Sequence, residues 1–295
     1  MENLSLKRRV YRKLCYIFCK HIPDKLYIKM MYQVRMGKKC NLKNPSTYNE
    51  KLNWIKLYDR NPKYVKLVDK ITAREVVEEL IGSDYLIPLL GKWKNVNDIN
   101  INDLPEQFVL KCTHDSGSVI ICKDKKTFDF EDAEKKLDNS MKINFFYTSR
   151  EWPYKSIKPQ IIAEAYVEDE NEKELRDYKF FCFDGKVKAL FVAIDRGKDG
   201  EEVKFDFFDE NYNRFPMKQG HPNAPEPPQK PSMFEDMKRL AEILSKNIPH
   251  VRIDFYQANN RIYFSEFTFF HHSGFVNFDP EEYDYKFGDW IRLPR

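Results

Sequence analysis

The segments VRIDFY (residues 251–256) and IYFSEF (residues 262–267) decide the fold class of this chain. Both alternate apolar and polar side chains with the two-residue period of a β-strand. The pair Asn259-Asn260 between them favours a tight turn with left-handed backbone. The sequence therefore predicts an antiparallel hairpin near the C-terminal end, and with the helices predicted elsewhere it indicates an α+β protein.

This hairpin places Asp254 and Glu266 close to opposite one another on adjacent strands. Two carboxylates a few ångströms apart are costly unless a cation neutralises them. Hard oxygen ligands favour Mg²⁺, with bound phosphates completing its coordination. The alternative is two exposed strand carboxylates near Arg252, since structural ion pairs also form such clusters.

A second motif, FVLKCTHDSGSVIIC (residues 108–122), is predicted to form a strand, a turn and a second strand. Lys111 lies at the base of this hairpin. Gly117 lets backbone N–H groups approach a phosphate closely, and Ser116 and Ser118 add hydroxyl donors. The hairpin is thus a candidate phosphate-binding loop, although such a turn is often only a turn.

Two further segments carry candidate binding groups. In AEAYVED (residues 163–169) a strand gives way to acidic residues, so its edge can bind an adenine ring while an acid binds ribose. The hairpin of residues 176–195 brings Lys179 and Arg196 onto or next to neighbouring strands, where both could reach a transferring phosphoryl group. The alternative for these two residues is ordinary surface cations.

Composition excludes several classes of protein. A net charge of +4 over 295 residues is too low for a strongly basic nucleic-acid-binding domain. We see no secretory signal and no apolar run of about 20 residues, so we expect a cytoplasmic protein. The six cysteines form no CxxC pair, which predicts reduced thiols without zinc, and Cys112 and Cys122 are expected to be buried.

The N-terminal residues 4–20 predict a basic amphipathic helix. Such a helix can lie on an anionic membrane, which would place the protein peripherally on the inner membrane face. The alternative is a helix docked on its own domain. Further helices are predicted at 24–37, 44–60, 65–82, 127–147 and 233–249, and strands at 85–93, 104–124, 159–169, 176–195, 205–215 and 250–270.

The order of these elements resembles the ATP-grasp superfold, and in detail the TupA-like ATP-grasp family, named for a teichuronopeptide biosynthesis protein. The resemblance is carried by NPSTYNEKLNWIKLYDR (44–60), LVDKITAREVV (67–77), YLIPLLGKW (85–93), FVLKCTHDSGSVIICKD (108–124), REWPYKSIKPQIIAEAYVED (150–169), DYKFFCFDGK (177–186), VRIDFY (251–256), YFSEFTF (263–269) and FGDWIRLP (287–294).

The resemblance implies two α+β lobes with antiparallel sheets that close on ATP. An N-terminal helical segment, residues 1–62, would precede an ATP-grasp domain, residues 63–295. Lobe one would span about 63–163 and lobe two about 164–295.

The same resemblance assigns roles to residues. Those implied to bind ATP are Lys70, Lys111, Ser116, Gly117, Ser118, Glu164, Tyr166, Val167 and Glu170. Lys179, Arg196 and Arg252 would act at the γ-phosphate, and Asp254 and Glu266 would hold Mg²⁺. The sequence departs from many ATP-grasp enzymes in having Thr268 where they carry Asn.

The superfold implies activation of a carboxylate as an acyl phosphate, followed by attack of an amine. The site would act by positioning and charge neutralisation, which suits a chain without a nucleophile motif. We expect a ligase acting on a small molecule or a cell-surface polysaccharide, with REWPY (residues 150–154) as a candidate acceptor element.

Three alternatives stay open at this point. The first is a glycosyltransferase of capsular polysaccharide synthesis, although its metal motif is approached only by Asp206-Phe-Phe-Asp209, which has the wrong spacing. The second is an ATP-grasp kinase, and the third is a scaffold tethered by the basic N-terminal helix.

Overall fold

The computed structural model describes residues 20–170, 174–195 and 202–294. These residues form an α+β structure with antiparallel sheets, as predicted. The helices are α1 Asp24–Met36, α2 Tyr48–Tyr58, α3 Lys63–Val68, α4 Thr72–Ile81, α5 Phe130–Met141, α6 Phe146–Ser149, α7 Phe234–Leu244 and α8 Glu282–Trp290. The strands are β1 Leu89–Trp93, β2 Phe108–Cys112, β3 Ile120–Cys122, β4 Ile161–Ala165, β5 Asp177–Phe183, β6 Lys186–Ile194, β7 Lys204–Asp209, β8 Lys218–Gln219, β9 Val251–Ala258, β10 Arg261–Thr268 and β11 Phe278–Asp279.

The larger sheet has five antiparallel strands in the order β10-β9-β5-β6-β7. Both predicted hairpin turns are confirmed, because Asp184-Gly185 joins β5 to β6 and Asn259-Asn260 joins β9 to β10, all four residues with positive φ. One face packs on α7, whose apolar stripe is buried. This sheet carries the main hydrophobic core.

The smaller sheet has four antiparallel strands in the order β1-β4-β2-β3. Its inner face packs Phe108, Leu110 and Ala163 against Leu137 of α5. The alternation of side chains along β2 and β4 then places Lys111 and Glu164 on the opposite face. The lobe boundary suggested by the resemblance, between 163 and 164, falls inside β4.

Two predicted helices are each divided in two. The segment 65–82 forms α3 and α4, because Asp69 leaves the helix and its Oδ1 accepts a hydrogen bond from the Ile71 amide at 2.8 Å. The segment 127–147 likewise forms α5 and the start of α6, with Asn144 Oδ1 accepting from the Phe146 amide at 3.1 Å. A short polar side chain competes with the helical hydrogen bonds at both breaks. The prediction of continuous helices was wrong there.

Helix boundaries elsewhere follow the predicted signals. Gly37 ends α1 with φ 71°, and Gly82 ends α4 with φ 103°. The capping box predicted at the start of α2 is present, with Thr47 and Glu50 bonding each other's backbone amides. The predicted buried state of Cys112 and Cys122 is also confirmed.

The predicted basic amphipathic helix lies almost wholly outside the described residues, which begin at Lys20. Within the described parts of the chain, no helix is both long and apolar enough to cross a bilayer.

Candidate active site

Three charged side chains form a row across the five-stranded sheet. Asp254 on β9 pairs with Lys179 on β5 and with Glu266 on β10. A β-bulge between Phe264 and Glu266 produces this alignment, because regular pairing would place Ser265 opposite Asp254. The predicted proximity of Asp254 and Glu266 is thus present in the structure.

Asp254 is fully buried and lies between two cations. Arg252 binds it through two hydrogen bonds, from Nε to Oδ1 and from Nη2 to Oδ2, each 2.7 Å long. Lys179 also contacts Oδ2, and it forms a second ion pair with Asp177. Burial by itself raises the pKa of Asp254, but Arg252 and then Lys179 outweigh burial, so this pKa lies below its ordinary value.

Arg252 is the centre of a hydrogen-bonded chain. Its Nη1 donates to His271 Nδ1 at 2.8 Å, and His271 Nε2 in turn donates to Gln219 Oε1 at 3.1 Å. This arrangement requires a neutral imidazole with its proton on Nε2. Burial, with the nearby His272 and Arg252, holds the pKa of His271 well below its ordinary value. Neutral His271 therefore orients the guanidinium of Arg252.

Thr268 connects Arg252 to Glu266. Its Oγ1 accepts from Arg252 Nη2 at 3.0 Å and donates to Glu266 Oε1 at 3.2 Å. The Glu266 side chain is 32% exposed, whereas that of Asp254 has no exposed surface. Glu266 is therefore the carboxylate of this pair that a ligand could reach from outside.

The donor set fits Mg²⁺ under one condition. The described residues contain no cluster of three or more His, Cys, Asp or Glu side chains able to hold a metal. Mg²⁺ is usually bound by one or two carboxylates together with substrate phosphates and water. Asp254 and Glu266 would therefore hold Mg²⁺ only with phosphate oxygens, and Asp254 would take part once Lys179 turned from it to a phosphate.

A second charged group lies on the face of the four-stranded sheet opposite its apolar core. Glu164 forms ion pairs with Lys111 and with Arg74, whose Nη1 is 3.0 Å from Oε1. Arg74 Nη2 also donates to the Ile87 carbonyl at 2.7 Å. Lys111 and Glu164 were predicted as site residues, whereas Arg74 was missed. In the sequence, Arg74 looks the same as any other polar residue of the amphipathic helix α4.

The predicted phosphate loop follows β2. Ser118 Oγ accepts from the Cys112 amide at 2.9 Å and donates to Asp115 Oδ1 at 2.6 Å. Lys70 Nζ donates to the Asp115 carbonyl, so its ammonium lies at the root of the loop. Ser116 and Gly117 at the tip are exposed, and Gly117 has φ 114° with open space where a Cβ would stand. The tip is free to approach a ligand.

The predicted nucleotide segment has residues 164–167 for adenine and residues 168–170 for ribose, and the ribose part is fixed to the other sheet by Asn259. Its Nδ2 donates to the Glu168 carbonyl at 3.1 Å, and its Oδ1 accepts from the Glu170 amide at 3.1 Å. Its own amide donates to Asp169 Oδ2 at 3.0 Å. Tyr166 and Val167 are half-buried and the Glu170 side chain is exposed. The segment thus runs from the four-stranded sheet to the turn of the β9–β10 hairpin.

A buried network beneath the site was not predicted. Lys56 of α2 is 1% exposed, and its ammonium donates to the carbonyls of Ser149 and Ser273 at 3.0 and 2.6 Å. The hydroxyls of the same two serines donate to Glu151 Oε1 at 2.9 and 2.6 Å. Burial lowers the pKa of Lys56 to about 7 and raises that of Glu151. The segment 150–154, expected as an acceptor element, therefore has a structural role through Glu151.

Tyr154, in the one-turn helix Trp152–Ser156, is influenced by carboxylates of both charged groups. Burial raises its pKa well above the ordinary value, and the carboxylates of Glu151, Glu266 and Asp115 act in the same direction. Its charge environment therefore includes both the five-stranded sheet and the phosphate loop. Arg196, predicted to face a phosphoryl group, lies outside the described residues.

Residues 50–292 match the family model described as TupA-like ATPgrasp. The chain belongs to this family. Its fold is therefore ATP-grasp, as the resemblance implied, and the match covers both sheets and the charged groups on them. No curated protein sequence matches the chain.

Several solved ATP-grasp ligases are distantly similar in structure. D-alanine–D-alanine ligase from Helicobacter pylori has 15% identity and a TM-score of 0.44, covering 84% of this chain and 70% of that one. The Bacillus anthracis enzyme complexed with ATP has 12% identity and a TM-score of 0.40, covering 68% and 53%. The ligase PsnB with its minimal precursor has 8% identity and a TM-score of 0.41, covering 70% and 54%. The matched part is about half the length of the last two proteins.

Proposed function

We propose that this protein is an ATP- and Mg²⁺-dependent ligase that activates a carboxylate as an acyl phosphate and joins it to an amine. The substrate we favour is a carboxylated sugar or a cell-surface polysaccharide. The proposal is carried by the row of Lys179, Asp254 and Glu266, which the β-bulge aligns on one face. Membership of the TupA-like ATP-grasp family supports it.

In this proposal the chain's residues bind and orient rather than exchange protons. Lys70 and Lys111 neutralise the phosphates beneath the loop tip, whose amides approach the terminal phosphates. Lys179 and Arg252 stabilise negative charge on the phosphoryl group as it moves to the substrate carboxylate. Mg²⁺, when bound by Asp254 and Glu266, supplies further neutralisation of the phosphate oxygens. The amine then displaces phosphate from the acyl carbon.

The contacts of Asp206 and Asp209 speak against the transferase alternative. Asp206 is fully buried, with its oxygens bound by Arg214 and by the Ala224 amide at 3.1 Å. Asp209 accepts hydrogen bonds from the Asn211 and Asn213 amides, both at 2.8 Å. Both carboxylates are occupied by structural contacts, so the segment Asp206–Asp209 does not supply a carboxylate pair for a nucleotide-sugar metal.

Calorimetry of ATP with Mg²⁺ tests the nucleotide site. We expect the wild type to bind ATP with micromolar affinity. Lys111→Ala should bind about tenfold more weakly, since a phosphate-binding cation is lost. Lys186→Ala, which removes a lysine with a 69% exposed side chain, serves as the matched control and should bind as the wild type does. Binding of a nucleotide sugar but not of ATP would contradict the proposal.

Phosphate release then separates ligase from kinase. With ATP, Mg²⁺ and a panel of uronic acids, a ligase releases phosphate only when an amine is also supplied. A kinase transfers phosphate to the sugar without an amine and leaves a stable phosphorylated product. Mass spectrometry of the products, with hydroxylamine as a trap for the acyl phosphate, distinguishes the two outcomes.

A further inference from the structure

The outer face of α1 exposes an apolar stripe. Leu26, Met30 and Val34 are 52%, 49% and 74% exposed, although each is a large apolar side chain. They are spaced four residues apart, so they lie in one line along the helix. The inner face of the same helix is also apolar and is buried through Tyr27, Ile28, Met31, Tyr32 and Met36. An ordinary surface helix presents polar residues outward, and α1 departs from this pattern.

The exposed face of α1 is basic as well as apolar. Lys25 and Lys29 are exposed and lie along one flank of the stripe. The acid of this helix, Asp24, faces elsewhere, because it forms ion pairs with Arg150 at 2.9 Å and with Arg60 at 3.8 Å. No acid among the described residues forms an ion pair with either lysine, so the stripe is bordered by positive charge that favours a negatively charged partner.

We propose that α1 binds an anionic membrane surface through this face. Leu26, Met30 and Val34 would enter the boundary between headgroups and acyl chains, and Lys25 and Lys29 would contact lipid phosphates. A second copy of the chain fits less well, because pairing two such stripes would bring like charges together. The sequence that precedes α1 adds the cations Lys7, Arg8, Arg9, Arg12 and Lys13. This inference is independent of the proposed ligase activity.

Vesicle flotation with the full chain tests the inference. We expect binding to vesicles of phosphatidylcholine and phosphatidylglycerol in equal amounts, and none to phosphatidylcholine alone. Met30→Glu should weaken the partition coefficient about tenfold, because it places a negative charge in the centre of the stripe. Met30→Leu should bind as the wild type does. Ile243→Glu, which alters a 37% exposed apolar residue on α7, is the control and should bind normally.

Three results would overturn the inference. The first is equal binding by Met30→Glu and the wild type, which would assign any membrane affinity to the residues before α1. The second is the absence of binding to anionic vesicles. The third is a dimer of the wild type that Met30→Glu dissociates, which would make a second copy the partner. Thermal unfolding of Met30→Glu, expected to match the wild type at this exposed position, shows that each result concerns a folded protein.

Discussion

In the five-stranded sheet, Asp254 is completely buried and its charge is balanced by Arg252 and Lys179 within the sheet. In the four-stranded sheet, Glu164 is 7% exposed and its partner Lys111 is largely buried too, but they lie next to a loop whose tip residues Ser116 and Gly117 are exposed. Both regions combine lysine, arginine and a carboxylate. They differ in what balances their charges, which is the protein alone in the first region and partly a ligand or water in the second.

This difference predicts that substitutions in the two charged clusters have different effects. A buried, fully hydrogen-bonded cluster is preorganised, because its charges are held in fixed positions. Removal of one partner leaves a buried charge unpaired and lowers the free energy of unfolding. The second cluster adjoins the exposed loop tip, so a ligand held by that tip could reach Lys111, whose side chain is 13% exposed. We therefore expect substitutions of the residues that bind Asp254 to act on folding as well as on binding, and substitution of Lys111 to act mainly on binding.

The strongest expected effect is that of Arg252→Met. It removes the guanidinium that binds both oxygens of Asp254, and breaking a buried ion pair costs about 3–5 kcal/mol of unfolding free energy. Lys111→Met should cost less, since Glu164 keeps Arg74 and is 7% exposed, whereas Asp254 has no exposed surface. Urea unfolding of both variants measures the contrast. Equal losses would remove the distinction between the sheets.

The next effect concerns acid stability. His250 is 2% exposed at the edge of the five-stranded sheet, and its nitrogens bond Tyr48 and the Cys182 carbonyl at 2.9 Å each. Burial lowers its pKa from 6.5 to about 3. The unfolded chain therefore binds a proton between these pH values that the folded chain does not, so stability falls as the pH falls below 6.5.

The size of this acid effect can be measured. From pH 6.5 to about pH 4, His250 should account for roughly 3 kcal/mol of lost stability. His250→Gln keeps both hydrogen-bonding roles but does not titrate, so its stability should decline less steeply over this range. His21→Gln alters an exposed histidine and serves as the control. Parallel pH profiles for wild type and His250→Gln would show the attribution to be incorrect.

The smallest effect is expected for Thr268→Val. The change keeps the shape of the side chain and removes the hydroxyl between Arg252 and Glu266. One hydrogen bond to a charged group of this kind is worth about 1.5–3 kcal/mol. The affinity for Mg²⁺ with ATP should change more than the stability, because Glu266 loses the group that orients it. An unchanged affinity would mean that Arg252 alone positions Glu266.

Much of this architecture follows from local sequence signals. The turn residues Asn259-Asn260 and the strand period predicted the hairpin and the proximity of Asp254 and Glu266, whereas the β-bulge that sets the two carboxylates directly opposite was not predicted. The small residues of the loop after β2 were found for the same reason, since a turn has a short-range signature. Family membership, too, was indicated by motifs spread over most of the chain.

The missed features depend on contacts between distant parts of the chain. Lys56 looks like a solvent-facing position of an amphipathic helix, yet the serines at 149 and 273 approach it from far along the sequence. Arg74 likewise finds Glu164 only after the sheet has formed. The helix breaks at Asp69 and Asn144 were missed because Asp and Asn side chains can either interrupt a helix or stand within it. The residue type alone does not tell which of the two happens.

Asn259 has to satisfy two requirements at once. Its backbone adopts φ 50° in the hairpin turn, and its amide group both donates to and accepts from the segment that leaves the four-stranded sheet. Glycine would satisfy the first requirement alone, and glutamine the second, whereas aspartate lacks the donor. Among the common residues that tolerate left-handed backbone, asparagine alone offers both groups at this length. We therefore expect position 259 to tolerate few substitutions, although it lies in a solvent-facing turn and such turns ordinarily vary most in sequence.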